Sequence, residues 1–187
     1  MSALLGAEVE LAEAAAKEAI DRAPEGERDP VCAVANDNAP GQVVISGTKA
    51  AVERAGEIAR AKGAKRAVLL NVSAPFHSPL MQPAADRVRD ALAEITIRPP
   101  VTPLVANVTA TEVSEPETIR RLLIEQVTGR VRWREGVLTL RHLGIDTTVE
   151  CGGNKVLTGM VKRTDRELQT VTLDSPADIE VFARSLS

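Results

Sequence analysis

Val31-Cys32-Ala33-Val34-Ala35-Asn36-Asp37-Asn38-Ala39-Pro40-Gly41-Gln42-Val43-Val44-Ile45-Ser46 decides the fold of the first part of this chain. Residues 31–34 and 42–46 are short apolar runs that read as strands, and the Asn-, Pro- and Gly-rich segment 35–41 between them reads as the connection of a hairpin. Upstream, Val9, Leu11, Ala12, Ala15, Ala16, Ala19 and Ile20 fall at helical spacing, so they predict a helix with one apolar stripe. Residues 1–6 before it suit a strand. Downstream, Thr48 caps a second helix bearing Val52, Ala55, Ile58 and Ala59, Gly63 closes it, and residues 67–72 supply a further strand. The order is β-α-β-β-α-β, the ferredoxin-like pattern.

The run Ala67-Val68-Leu69-Leu70-Asn71-Val72 is nearly all apolar, as expected of a strand buried on both faces. Ser73-Ala74-Pro75-Phe76-His77-Ser78-Pro79-Leu80-Met81 follows it. Ser78 suits an N-cap and Pro79 a first helical position, where a missing N–H is no loss. His77 thereby sits in a turn at the carboxyl end of a strand, where α/β proteins place their chemistry. Spacing alone leaves a general base and a structural turn histidine equally open.

Beyond Pro79 the pattern lengthens. It predicts a helix to residue 95, a strand over 102–108 and a helix opened by Ser114 and Glu117 as a capping box. A helix over 133–143, a strand over 147–151, a Gly152-Gly153 turn with a helix to residue 162, a strand over 170–173 and a C-terminal helix follow. This reads as α/β layering with parallel strands, but with too few strands for a complete open sheet. It reads as part of a domain.

Composition excludes several classes. A formal charge of -3 with both signs interspersed, two phenylalanines, one tryptophan and no tyrosine give neither the field nor the stacking groups for nucleic acid. Cys32 and Cys151 stand far apart, with no metal-ligand spacing to a histidine, so a reduced, metal-free cytoplasmic protein is expected. No run approaches the about 18 apolar residues of a membrane span, and residues 1–6 lack the basic start of a signal peptide.

A nucleophile is the natural partner of a base, yet Gly-x-Ser-x-Gly occurs nowhere in these 187 residues. Cys151, at a strand end before Gly152-Gly153, has the topology of a thiol at a helix N-terminus, against the plainer reading of a small strand residue. Gly152-Gly153-Asn154-Lys155 lacks Walker A spacing and reads as a tight turn whose helix start could approach an anion. His142 lies near a helix end and is assigned no function.

Three segments together, Asn36 to Gly47, Ser73 to Met81 and Gly153 to Arg163, resemble in order and spacing the malonyl-CoA:acyl-carrier-protein transacylases of bacterial fatty-acid synthesis. The resemblance spans essentially the whole chain but only the downstream part of that family's sequence. It implies an α/β fold in which residues 1–72 form a complete ferredoxin-like (α+β) small subdomain. Residues 73–187 would form the C-terminal part of an α/β-hydrolase-like, parallel-sheet acyltransferase subdomain.

The activity implied is [acyl-carrier-protein] S-malonyltransferase. Malonyl passes from coenzyme A to a serine and on to the phosphopantetheine thiol of acyl carrier protein, with no further cofactor. By the resemblance His77 is the general base, and the main-chain carbonyl of Gln126 holds its other ring nitrogen. Phe76 crowds an α-methyl on the substrate, and Asn38 lines the cleft. The serine elbow, the arginine for the malonyl carboxylate and the oxyanion hole have no counterpart here, so the chain alone is expected to be inactive. A non-catalytic module that binds acyl carrier protein or a serine-bearing partner, half of a split acyltransferase, and a Cys151-His77 thiol enzyme stay open. Truncation and a separate subunit are equally compatible with these residues.

Overall fold

The computed structural model describes residues 1–186. By packing they form two compact units, Met1–Gly136 and the remainder from Val137. The boundary expected after residue 72 lies within the first of these.

The first unit opens with β1 (Ser2–Leu5), α1 (Val9–Asp21), β2 (Cys32–Ala39), β3 (Gln42–Gly47), α2 (Lys49–Ala61) and β4 (Arg66–Leu69). The strands form one antiparallel sheet in the order β2-β3-β1-β4. Its core is built from small residues. Ala12, Ala15, Ala16 and Ala19 of α1 and Ala51, Val52, Ala55 and Ala59 of α2 are buried against Leu4, Val43 and Ile45. Alanine faces let the two helices approach closely while branched strand residues fill the layer beneath. Gly47 is fixed by the close approach of the strand beside it, since a Cβ there would lie 1.9 Å from the Val31 carbonyl oxygen.

The hairpin is tighter than expected. β2 runs through Asn36-Asp37-Asn38 to Ala39, and only Pro40-Gly41 turn, with Gly41 at φ +70°. Two register shifts, between Val34 and Asn36 and between Asp37 and Ala39, absorb the extra residues as bulges. The polar Asn-Asp-Asn run belongs to a strand because Asp37, itself buried, has a charged partner, described below. β4 also departs from expectation. It is the sheet's edge, hydrogen-bonded only to β1, and Leu69 is 57% exposed with Val68, Leu70 and Val72 also open. Apolar composition marked a strand here, but a run of this kind does not say what covers it.

A 3-10 turn, Pro79–Met81, then leads into α3 (Gln82–Ala93), β5 (Leu104–Ala106), β6 (Thr111–Val113) and α4 (Pro116–Thr128). β5 and β6 are antiparallel, a short hairpin in place of the single strand expected over 102–108, with Ala110 at φ +56° in the turn. α4 packs on α3. Its cap is Glu115, whose carboxylate accepts from the amides of Glu117 at 3.0 Å and Thr118 at 2.5 Å, rather than Ser114. Pro116 sets the first helical position and so moves the cap one residue along.

α5 (Trp133–His142) runs from the first unit into the second. The second unit contains β7 (Thr147–Cys151), α6 (Val156–Thr164), β8 (Gln169–Leu173) and α7 (Pro176–Ser185). β7 and β8 pair in parallel, in agreement with the expected α/β layering of this segment. Ser175 and Asp178 form a reciprocal capping box at the start of α7.

Candidate active site

His77 is held at its ring and strained at its backbone. Nδ1 lies 3.0 Å from the main-chain oxygen of Gln126. A carbonyl only accepts, so Nδ1 carries the hydrogen, and a neutral ring then has its lone pair on Nε2. Nε2 has no hydrogen-bond partner among the described residues.

The carbonyl is free because of where α4 stops. An α-helix leaves its last four carbonyls without intrahelical partners. The Gly129 amide takes Glu125 at 2.8 Å, Gly129 is extended, and the Gln126 oxygen is left for the imidazole. The Gln126 side chain donates from Nε2 to the Gly129 carbonyl at 2.9 Å, while its Oε1 is buried without a partner.

His77 has φ +55°, the left-handed region that a side chain with a Cβ disfavours. The neighbouring Ser78 does not cap the following turn. It is fully buried, and its hydroxyl donates backward to the Pro75 carbonyl at 2.7 Å. Phe76 is 39% exposed.

Asn38 lies half-buried on β2 and makes no side-chain hydrogen bond among the described residues. The structure joins His77 to Gln126 but shows no bond from either to Asn38. The strand's buried polar group is instead Asp37, 1% exposed, whose two carboxylate oxygens accept from Nε of Arg134 at 3.0 and 2.9 Å. Main-chain bonds run alongside. The Asp37 amide donates to Val131 and the Val131 amide to Ala35, both at 2.8 Å. Burial pushes the Asp37 carboxyl above the ordinary aspartate value, and the bond and charge of Arg134 offset only part of this. A polar residue amid Asn-Asp-Asn looks like turn composition, and only the arginine 97 residues away reveals its role.

In the second unit Cys151 ends β7 exposed and free. The helix start that follows is already occupied. Glu150, buried on β7, accepts from the amides of Leu157 at 3.1 Å and Thr158 at 2.7 Å, and Asn154 accepts from Val156 at 3.2 Å. Burial opposes ionisation of Glu150, yet the hydrogen bonds from Thr158, Leu157 and Val156 outweigh it and hold the carboxyl below the usual glutamate value. The anion approach expected at Gly152-Gly153-Asn154-Lys155 therefore meets a carboxylate. Cys32 is buried, its thiol pushed up to about 11 by desolvation, which leaves it unreactive at neutral pH.

No group of three metal-ligating side chains, and no helix long and apolar enough to cross a membrane, occurs among the described residues.

Residues 6–179 match the model of the acyl transferase domain family. The chain is 40% identical over 186 residues to the malonyl CoA-acyl carrier protein transacylase of Bacillus subtilis, covering 100% of this chain and 57% of the relative. Its structure superposes on the acyl-carrier-protein-S-malonyltransferase of Bartonella henselae with a TM-score of 0.91 at 44% identity, over 99% of this chain and 57% of that one. A malonyl-transacylase solved in complex with its type II PKS acyl-carrier protein gives 0.90 at 36% identity, over 98% and 57%. The chain thus spans little more than half the length of the proteins it matches.

Proposed function

Since the chain belongs to the acyl transferase domain family, we propose that it supplies the base-bearing part of a malonyl-CoA:acyl-carrier-protein transacylase acting in cytoplasmic fatty-acid synthesis. In this reading residues 1–72 are a ferredoxin-like small subdomain, and residues 73–187 contribute to the larger acyltransferase subdomain. The observation that carries the reading is the 3.0 Å contact from His77 Nδ1 to the Gln126 carbonyl. It leaves Nε2 ready to accept a proton without adding a second charge, the task an acceptor of this kind performs beside a nucleophilic hydroxyl.

The chemistry is two acyl transfers. A serine hydroxyl attacks the thioester carbon of malonyl-CoA, its proton passes to His77 Nε2, the carbon–sulfur bond breaks, and the imidazolium returns the proton to the departing thiolate. The phosphopantetheine thiol of acyl carrier protein then attacks the acyl-serine ester, again giving its proton to Nε2, and the serine oxygen leaves with that proton. Phe76 and Asn38 line the substrate side. No Gly-x-Ser-x-Gly is present in these residues, so the serine comes from a serine-bearing segment outside them.

Incubation with labelled malonyl-CoA tests the reading. The 187-residue chain alone should form no covalent adduct. Mixed with the upstream half of a relative that carries the serine elbow, it should restore transfer to holo acyl carrier protein, and His77→Ala should abolish that transfer. An adduct on the chain alone, or transfer indifferent to His77→Ala, would overturn it. The same absence of a serine elbow favours a second reading, a non-catalytic module that docks acyl carrier protein. That reading requires tight binding of the carrier with no transfer under complementation.

A further inference from the structure

Left-handed backbone is rare for a residue with a Cβ, and it persists only where the surroundings over-determine it. At His77 the ring bond to Gln126 is one restraint. It acts at the end of the side chain and is satisfied only once the backbone has delivered the ring. A restraint on the backbone itself is needed, and Ser78 is built for it.

Ser78 stands before Pro79, which bars it from helical backbone, and it is extended at φ -133° and ψ 163°. Its main-chain oxygen accepts from the Met81 amide at 3.0 Å, which starts the 3-10 turn. A serine in this position ordinarily turns its hydroxyl forward to cap that turn. Here it turns back. The hydroxyl, 0% exposed, donates to the Pro75 carbonyl at 2.7 Å, so Pro75-Phe76-His77-Ser78 is closed by a side chain with His77 inside the loop. A surface turn serine has water as an alternative partner. A fully buried one does not, and its hydroxyl is confined to the bond it makes.

We propose that Ser78 is a positioning residue. Its hydroxyl closes the loop that keeps His77 left-handed, brings Nδ1 to the Gln126 carbonyl and so selects the tautomer with a free Nε2. This deepens the proposed function and rests on it for the use made of Nε2. The tautomer itself can be read without any activity.

The test is nitrogen NMR of the 187-residue chain labelled at histidine. Only His77 and His142 report, and His142→Gln assigns them. In the unsubstituted chain the neutral His77 ring should be the Nδ1–H form throughout. Ser78→Ala should convert it to a mixture in which Nε2–H, the form preferred by an unconstrained histidine side chain, predominates, and Ser78→Thr should restore the original signal. With the serine-bearing half added, Ser78→Ala should lower kcat at least tenfold with KM little changed. A natively folded Ser78→Ala chain that keeps Nδ1–H would overturn the proposal, whatever the transfer assay shows. Lost transfer with the expected tautomer change supports it, and absent transfer in the unsubstituted mixture bears on the proposed function alone. Should Ser78→Ala fail to fold, the unsubstituted chain decides. A slowly exchanging Ser78 hydroxyl proton coupled to the Pro75 carbonyl carbon supports the latch, and a freely exchanging one overturns it.

Discussion

The imidazole of His77 and the main-chain carbonyl of Gln126, 49 residues apart, meet at 3.0 Å because α4 ends two residues after Gln126. The acceptor is a leftover of helix geometry and carries no side-chain signature. Gln126→Ala therefore keeps it. The substitution removes the 2.9 Å bond to Gly129, a loss of about 0.5–1.5 kcal/mol, and also removes a buried oxygen with no partner, a relief of about 1–3 kcal/mol, while opening a small void. These changes oppose one another, so the urea midpoint should move by less than about 1 kcal/mol equivalent and the His77 tautomer should not change. A tautomer shift in Gln126→Ala would mean that the side chain, and not the helix end, directs the carbonyl.

Asp37 and Arg134 separate charge from hydrogen bonding. The carboxyl is pushed above its ordinary 3.8 by burial, so the folded state holds its proton more tightly than the unfolded chain does. Its contribution to stability is then fully present below 3.8 and is lost as pH rises through the raised folded value. Asp37→Asn keeps an acceptor for the Arg134 Nε without the buried charge. It should be neutral or mildly stabilising at pH 7, and this advantage over the unsubstituted chain should shrink as pH falls toward 4. Asp37→Ala should instead cost about 3 kcal/mol, the low end for a broken buried pair, because Arg134 loses its partner but keeps some contact with water. Denaturant titrations at pH 4, 5, 6 and 7 would read both. A pH-independent difference between Asp37→Asn and the unsubstituted chain would exclude a raised carboxyl.

Local signals made much of this fold legible. Alanine at helical spacing marked α1 and α2, Thr147 to Cys151 marked β7, and Pro79 following the apolar run 67–72 placed His77 in a turn. What escaped depends on partners distant in sequence. The length of β2 follows from Arg134 and Val131, the openness of β4 from its place at a sheet edge, and the β5–β6 pairing from a turn at Ala110 that no glycine announces. Motif resemblance named Gln126 as the acceptor for His77. The reason its carbonyl is available is visible only in the end of a helix.

Glu150 competes with any anion for the start of α6. Its carboxylate already takes the Leu157 and Thr158 amides. Glu150→Ala should speed hydrogen exchange at those two amides selectively and lower the melting temperature. Because the carboxyl is held below the usual glutamate value, its support is present above the ordinary 4.5 and fades as pH falls through the lowered one. The difference in melting temperature between the two chains should accordingly be larger at pH 7 than at pH 3. Unchanged exchange at Leu157 and Thr158 would show that the helix start does not depend on this carboxylate.

Phe76 precedes His77 and is 39% exposed. A ring so placed adds little to the core, so Phe76→Ser should leave stability nearly intact while opening space beside the reacting carbon. One methyl group discriminated by shape is worth about 1–3 kcal/mol, or roughly 10–200-fold in kcat/KM. In the chain complemented by a serine-bearing half, Phe76→Ser should therefore raise the kcat/KM ratio of methylmalonyl-CoA to malonyl-CoA by at least about tenfold, mostly through the methylmalonyl term. The two substrates share the coenzyme A body, so a change in general binding moves both together and cancels in the ratio. An unchanged ratio in an active complex would remove Phe76 from the substrate side of the site and leave its exposure to be explained by whatever segment packs there.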